Sequence, residues 1–212
     1  GALALALSGG KDSLTLLFLL NAILKHHTPS LALVALHVGG AFSCGASVDQ
    51  HFIQSVCDAL EVPLRIQTTE GEPTSCYPCS RRRRSLLFEA AKDWGASTIA
   101  FGHHRDDNSE TLFLNLLHKG EFAGMLPSLQ MHRYDITLIR PLIYASEEEI
   151  TAFAQKEGFL RTTCRCPIGQ KSKRREVKQA IQRLKNAFPN IENNLSHASL
   201  SQGSDKAGRP LS

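Results

Sequence analysis

Short apolar runs at 2–7, 31–38, 63–68 and 97–102 punctuate the first half of the chain, and between them, at roughly 12–23, 47–60 and 80–94, apolar positions recur at helical spacing. Strands alternating with helices predict a parallel sheet covered on both faces, a doubly wound α/β fold. In such sheets ligands sit beyond the carboxyl ends of the strands. Those ends are Ser8–Ser13, His37–Gly40 and Gly102–Asp107, so three strand ends are expected to converge on one site.

Further along, Asp107-Asn108-Ser109-Glu110 is expected to cap a helix carrying Leu112, Phe113, Leu116 and Leu117 at helical spacing until Gly120 stops it. Residues 136–142 read as another strand, and Ser146-Glu147-Glu148-Glu149 opens a helix with acids in its first turn. A last strong helix is predicted from about Ser172 to Ala187, with Val177, Ile181, Leu184 and Phe188 as its inward stripe. The expected organisation is a nucleotide-binding domain over 1–145 with an inserted cysteine loop, a small basic helical extension over 146–200, and a disordered tail over 201–212. The chain begins inside its first strand, so further residues are expected upstream.

The turn between the first strand and the first helix is Ser8-Gly9-Gly10-Lys11-Asp12-Ser13. Two glycines open the backbone, and a helix N-terminus with Ser8, Ser13 and Lys11 offers donors to an anion, which suits a pyrophosphate. Asp12 repels phosphate unless it caps the helix or helps hold a divalent cation, and so points to Mg²⁺. The Walker pattern fails here, because Leu5 stands where its first glycine belongs and Asp12 follows the lysine.

A chain of 212 residues with 42% hydrophobic and 21% charged residues is that of an ordinary globular protein, and no apolar run reaches the ~20 residues that span a bilayer. The net charge of +4 is modest but concentrated. Arg81, Arg82, Arg83 and Arg84 form one block, and Arg161 to Lys185 holds nine Lys or Arg against the single acid Glu176. Such clusters are either solvated helix faces or the footprint of a polyanion partner. Six cysteines without a signal peptide argue for a reducing cytoplasm and against a disulfide framework. Cys57 falls on a helical face as a buried thiol, and Cys44 stands apart.

Gly102-His103-His104-Arg105-Asp106-Asp107 should face the same crevice as the glycine turn. Its two histidines and two aspartates can bind Mg²⁺, steady a triphosphate or move protons; equally, Asp107 can simply cap the helix and His103 simply pack. Cys76-Tyr77-Pro78-Cys79 is expected in a loop before a helix, and one CxxC fits a redox dithiol, half a zinc site or part of an iron–sulfur site. The second cysteine group is Cys164-Arg165-Cys166.

The loop SGGKDS resembles that of the N-type ATP pyrophosphatases, which cleave ATP between its α and β phosphates and adenylate a substrate. Taken with CYPCSRRRR, GHHRDDNSETLFLNLLHKGEFAGMLP, IRPLIY and a cysteine pair followed by Gln170, the chain resembles the tRNA 2-thiocytidine synthetases in motif order and spacing over nearly all of 1–200. The resemblance implies a PP-loop domain of the adenine nucleotide α-hydrolase type. It implies that ATP adenylates an anticodon-loop cytidine at its C2 oxygen, which sulfur then replaces, with AMP and pyrophosphate released. ATP is then bound by Ser8, Gly9, Gly10, Lys11, Asp12 and Ser13, with His37 and Gly102 nearby. Asp12, His103, His104, Asp106 and Asp107 are the catalytic candidates.

A [4Fe–4S] cluster held by three cysteines and leaving one iron open for sulfur is also implied, with Cys76 and Cys79 as its first two ligands. The family's CxxC near this C-terminal region is here a CxC. Cys166 is favoured over Cys164 as third ligand, because a loop absorbs a one-residue shift. Arg81 to Arg84 with Lys173, Arg174 and Arg175 are expected to hold the tRNA backbone. The expected partners are tRNA, a sulfur donor such as a cysteine desulfurase, and a second copy in a homodimer, with no membrane. The competing readings are a 2-thiouridine synthetase or a lysidine synthetase on the same fold, and a non-catalytic tRNA-binding module stabilised by zinc.

Overall fold

The computed structural model describes residues 1–40, 50–69, 76–159 and 173–200. Six strands form one sheet: β1 (Ala2–Ala6), β2 (Ala32–Gly39), β3 (Leu64–Thr68), β4 (Thr98–Ala100), β5 (Ser128–Met131) and β6 (Ile136–Ile139). Their order is β3-β2-β1-β4-β6-β5, parallel throughout except for the antiparallel edge strand β5. The chain runs outward from β1 to β2 and β3, then returns to β4 on the other flank of β1. This reversal makes the β1/β4 boundary the switch point, where a crevice opens at the carboxyl edge. The parallel order agrees with the sequence reading. The short polar strand β5 does not show in the sequence pattern, because Ser128-Leu129-Gln130-Met131 carries too few apolar residues to stand out from a loop.

Helices α1 (Lys11–His27) and α2 (Gln50–Ala59) cover one face, and α3 (Cys76–Asp93) covers the other. The alternation of β1 separates the two cores. Leu3 and Leu5 join Leu14, Leu17, Ile53 and Cys57 on the α1 side, while Ala4 joins Val34, Leu36, Phe88 and Ile99 on the α3 side. As expected, Cys57 is fully buried, and burial pushes its thiol up to about 11.

After β4 come α4 (Arg105–Lys119), α5 (Glu147–Lys156), α6 (Lys173–Lys185) and α7 (Ile191–Ser199). Ile150, Ala154 and Phe159 enter the α1-side core, with Phe159 stacked on Phe18 at 4.8 Å. Thus α5 packs with the sheet. Helices α6 and α7 instead lie against α4.

Three sequence expectations change. Helix α4 starts at Arg105, ahead of Asp107, because the Asp107 carboxylate folds back to accept from the His104 backbone N–H at 3.2 Å. The CYPC segment forms the opening of α3 and not a preceding loop. Pro78 is tolerated there because N–H groups of a first helical turn have no intrahelical acceptor to lose. Phe188 is 60% exposed and lies past the end of α6, so it is no part of an inward stripe, whereas Val177 and Ile181 are buried.

Candidate active site at the switch point

The turn after β1 is built around Ser13. Its hydroxyl donates to the Gly10 carbonyl at 3.0 Å, accepts from the Ser8 N–H at 3.2 Å, and lies 3.0 Å from the Ser8 hydroxyl. Gly9 has φ +81°, a left-handed conformation open to glycine at little cost. Gly10 caps α1 in extended conformation with no side chain to satisfy the first N–H groups, so the helix start is left facing the crevice. Gly102 presses against this turn. A Cβ there would meet the Asp12 carbonyl carbon and oxygen at 3.0 Å and the Ser13 nitrogen at 3.1 Å. The backbones after β1 and β4 therefore touch, as the strand-end reading requires.

His104 is buried at the centre of the acidic group. Its Nε2 lies 3.4 Å from Asp107 Oδ2 and 3.9 Å from Asp12 Oδ1, and its Nδ1 lies 3.6 Å from Asp106 Oδ2. Burial alone lowers the imidazole's pKa, but Asp106, Asp107 and Asp12 outweigh it and raise the value above the ordinary one. Asp106 is held at about 2: burial pushes it up, and the His104 contact and the Glu147 N–H, donated at 2.8 Å, more than reverse that. His103 points elsewhere. Half-buried and stacked on Phe101 at 5.7 Å, it is pushed down to about 4 by burial, with Asp107 opposing and Arg140, Arg174 and Arg84 adding to the fall.

His37 is buried, and its Nδ1–H donates to the Leu7 carbonyl at 2.8 Å. Burial and the charge of Arg83 keep it neutral, although the Leu7 contact opposes them. The ring thus braces the glycine turn from behind, and Arg83 on α3 acts across the same edge.

The α6 helix supplies groups that the sequence reading did not pair. Arg174 donates from Nε to Glu110 Oε2 and from Nη2 to Asp107 Oδ1, both at 2.9 Å, so it turns inward. Lys178 reaches Glu147 at 2.7 Å, and Glu147 lies 3.5 Å from Lys11, whose ammonium also sits 2.6 Å from Asp12. Glu110, Glu147 and Lys178 were not among the candidates. Glu110 falls where a helix pattern wants a nonpolar residue, and its burial with a raised pKa is the signal that marks it.

Cys76 and Cys79 stand one helical turn apart at the start of α3, with the Cys79 side chain half-buried. Cys44, Cys164 and Cys166 lie outside the described residues. Arg81, Arg82 and Arg84 are exposed and Arg83 half-buried on the same helix; Lys173 pairs with Glu176 at 3.0 Å. Among the described residues, no three His, Cys, Asp or Glu are grouped to hold a metal ion, and no helix is long and apolar enough to cross a membrane.

Residues 1–162 match the PP-loop domain family. The tRNA-cytidine(32) 2-sulfurtransferase of Anaeromyxobacter dehalogenans is 36% identical over 205 residues, covering 91% of this chain and 69% of that protein. The enzyme of that name from Vibrio cholerae is 35% identical over 195 residues, covering 86% of this chain and 62% of that one. The chain thus spans about two thirds of these relatives. In structure it resembles the U34-tRNA thiolase NcsA from Methanococcus maripaludis with its [4Fe–4S] cluster, at a TM-score of 0.80 and 22% identity over 99% of this chain and 78% of that one. That likeness is one of fold.

Proposed function

The chain belongs to the PP-loop family, in the group of the tRNA-cytidine(32) 2-sulfurtransferases, and from that premise we propose that it replaces the C2 oxygen of an anticodon-loop cytidine with sulfur at the expense of ATP. One observation carries the reading. The glycine turn follows β1, and the CYPC segment opens α3, a helix that packs across β1, β2 and β4 and starts at the carboxyl edge, so both belong to the same edge of the sheet. Arg83, within a turn of Cys79, already acts on the His37 that braces the glycine turn.

Ser8, Gly9, Gly10, Lys11 and Ser13 bind the ATP phosphates, while His37 and Gly102 fix the shape of the cradle. The cytidine O2 attacks the α-phosphorus and pyrophosphate leaves; sulfur then adds at C2 and AMP carries the oxygen away. Loop N–H groups and the Lys11 ammonium stabilise charge on the phosphates as the bond to pyrophosphate breaks. Asp106, Asp107 and Asp12 favour the protonated form of His104. His103 stays neutral, burial outweighing the pull of Asp107.

Mg²⁺ suits Asp12, whose partner Lys11 is free to turn to the phosphates, whereas Asp106 is engaged by Glu147 and Asp107 by Arg174; the ion would be held chiefly by the phosphates together with Asp12. The thiols of Cys76 and Cys79, with Cys166 or Cys164, suit a [4Fe–4S] cluster, whose open iron would supply a Lewis-acidic holder for sulfur. Arg81 to Arg84, Lys173 and Arg175 meet the tRNA backbone, a sulfur donor such as a cysteine desulfurase feeds the reaction, and two copies pair.

The test is nucleoside analysis of tRNA incubated with reconstituted protein, ATP, Mg²⁺, sulfide and reductant. We expect 2-thiocytidine with stoichiometric AMP; 2-thiouridine instead would reassign the base, and no AMP release would reduce the chain to a binding module.

A further inference from the structure

Three apolar stripes run toward the carboxyl edge on the α3 face, and each ends in a nitrogen-bearing side chain. On α3, Leu87, Phe88 and Ala91 are buried in the second core, and Arg84 precedes them at helical spacing. On the strand side, Ile99 and Phe101 belong to that core and His103 follows two residues on, its ring parallel to Phe101 within 1°. Ile136 and Leu138 of β6 also point there, and Arg140 continues their alternation. Strands β4 and β6 are neighbours in register, with the Phe101 N–H donating to the Ile139 carbonyl at 2.9 Å, so His103 and Arg140 emerge side by side. The Phe88 ring, 6.3 Å from Phe101, ties α3 and hence Arg84 to the same spot.

These groups have donors to spare. Arg140 directs Nη1 at the Leu126 carbonyl, but its Nε is buried without an acceptor, as are Nδ1 of His103 and Nε of neighbouring Arg83. Among the described residues no carboxylate lies within ion-pair distance of Arg83, Arg84 or Arg140, whereas Arg174 and Lys178 a short way off are fully matched by acids. Burial and Arg84 bring Arg140 down to about 10, the mark of a cation placed near another with no anion between them. A half-buried guanidinium left in that state is costly unless a ligand supplies the counter-charge.

We infer that Arg84 and Arg140, on either side of His103, form a phosphate site, separate from the glycine turn, for the RNA phosphodiester beside the reacting nucleotide. The choice of RNA rests on the function proposed above. It follows from placement: the glycine turn has its own donors for ATP, while Arg84 is exposed and stands five residues, ~7.5 Å of helix, beyond Cys79. A guanidinium fork on each side suits the in-plane oxygens of one phosphate, and neutral His103 adds a single hydrogen bond.

The test compares Arg84→Met, Arg140→Met, Arg140→Lys and the double Met variant. Binding of a synthetic anticodon stem-loop is followed by anisotropy over a salt series, and binding of inorganic pyrophosphate by calorimetry. We expect each Met variant to weaken RNA binding about tenfold, as for one charge-assisted hydrogen bond, with pyrophosphate unaffected and Arg140→Lys partly restored. Because both arginines address one phosphate, the double variant lowers the slope of log K against log salt by about 0.7 and not by twice that. Loss of pyrophosphate binding with RNA unchanged would overturn the RNA assignment and give these arginines to the nucleotide. If neither ligand responds to Arg84→Met, an exposed position that folding does not need, the site is refuted. Failure of the thiolation reading is distinguishable: the parent would then bind no stem-loop and release no AMP, and the pyrophosphate arm would still decide the site.

Discussion

Replacing Arg174 by Gln tests whether the basic helix is strapped to the site or offered to RNA. Its guanidinium lies 2.9 Å from both Glu110 and Asp107, whose side chains are only 11% and 21% exposed, while the arginine itself is 41% exposed. Removing one member of a buried pair costs about 3–5 kcal/mol, and of an exposed pair less than about 1. This half-exposed strap falls between, at about 1–2 kcal/mol. For a chain of this size that is a fall in Tm of about 3–6 °C. Burial raises the pKa of Glu110 and Arg174 opposes it, so in the variant the value climbs further. The deficit should therefore shrink as pH falls and acid protonates Glu110. Arg174→Lys keeps the charge but not the two-pronged contact, and should recover part of the loss. The assays are thermal unfolding between pH 5 and 8 and the salt dependence of stem-loop binding, whose slope should not change because the guanidinium is already committed. A variant with parental Tm throughout and a salt slope lower by about 0.7 would show the arginine on RNA and refute the strap.

Gly102→Ala places a methyl 3.0 Å from the Asp12 backbone, and should weaken binding of a non-hydrolysable ATP analogue at least about tenfold while lowering Tm by only a few degrees; unchanged affinity would mean that the turn yields freely. Cys76→Ala and Cys79→Ala should each abolish the broad visible absorbance of anaerobically reconstituted protein and its thiolation of tRNA, yet leave ATP-analogue affinity within about twofold, since ATP is bound by other residues. A protein that stays colourless before mutation would remove the iron–sulfur part of the reading. With Asp106 held at about 2, the stability it contributes is complete above the ordinary carboxylate value of ~4 and is lost as pH falls toward 2. The raised His104 contributes fully below ~6.5 and fades as pH rises through its folded value. In Asp106→Asn the His104 proton resonance should titrate at lower pH than in the parent; an unmoved titration would remove Asp106 as the principal partner.

The doubly wound order was legible because buried parallel strands, such as Leu33-Val34-Ala35-Leu36 in β2, read as continuous apolar runs, and because glycine turns follow two of them. The phosphate turn was legible for a different reason, since donors and glycines had to be contiguous to make it. What stayed hidden was pairing across distance. Nothing in the spacing of Arg174 and Lys178 tells that they face Asp107, Glu110 and Glu147, which lie 67, 64 and 31 positions away, because a basic helix looks the same whether its cations meet carboxylates or solvent. Helix α7 escaped notice because Ile191 to Ser199 is short and polar, and its Ser196 and Ser199 are buried against small residues such as Gly124 rather than by an apolar stripe.

The ion pairs close into a ring: Asp12, Lys11, Glu147, Lys178, Glu110, Arg174, Asp107, His104 and back to Asp12. Acids and bases alternate around it, four of each when His104 is protonated, and Asp106 adds a fifth acid beside His104, so this group carries no excess of positive charge before any ligand arrives. Each link is weak where solvent reaches it, but the alternation keeps neighbouring carboxylates ionised in a small space. A triphosphate entering there gains little from net charge; it must draw Lys11 from Asp12 and Glu147, which frees an Asp12 oxygen for a divalent cation. On the α3 face Arg83, Arg84 and Arg140 have no such partners among the described residues, so that side stays positive. On the proposed function, the two polyanions would thus be sorted by different means: ATP by oriented N–H groups and exchange of partners, and RNA by unbalanced charge, which acts at longer range and fades with salt.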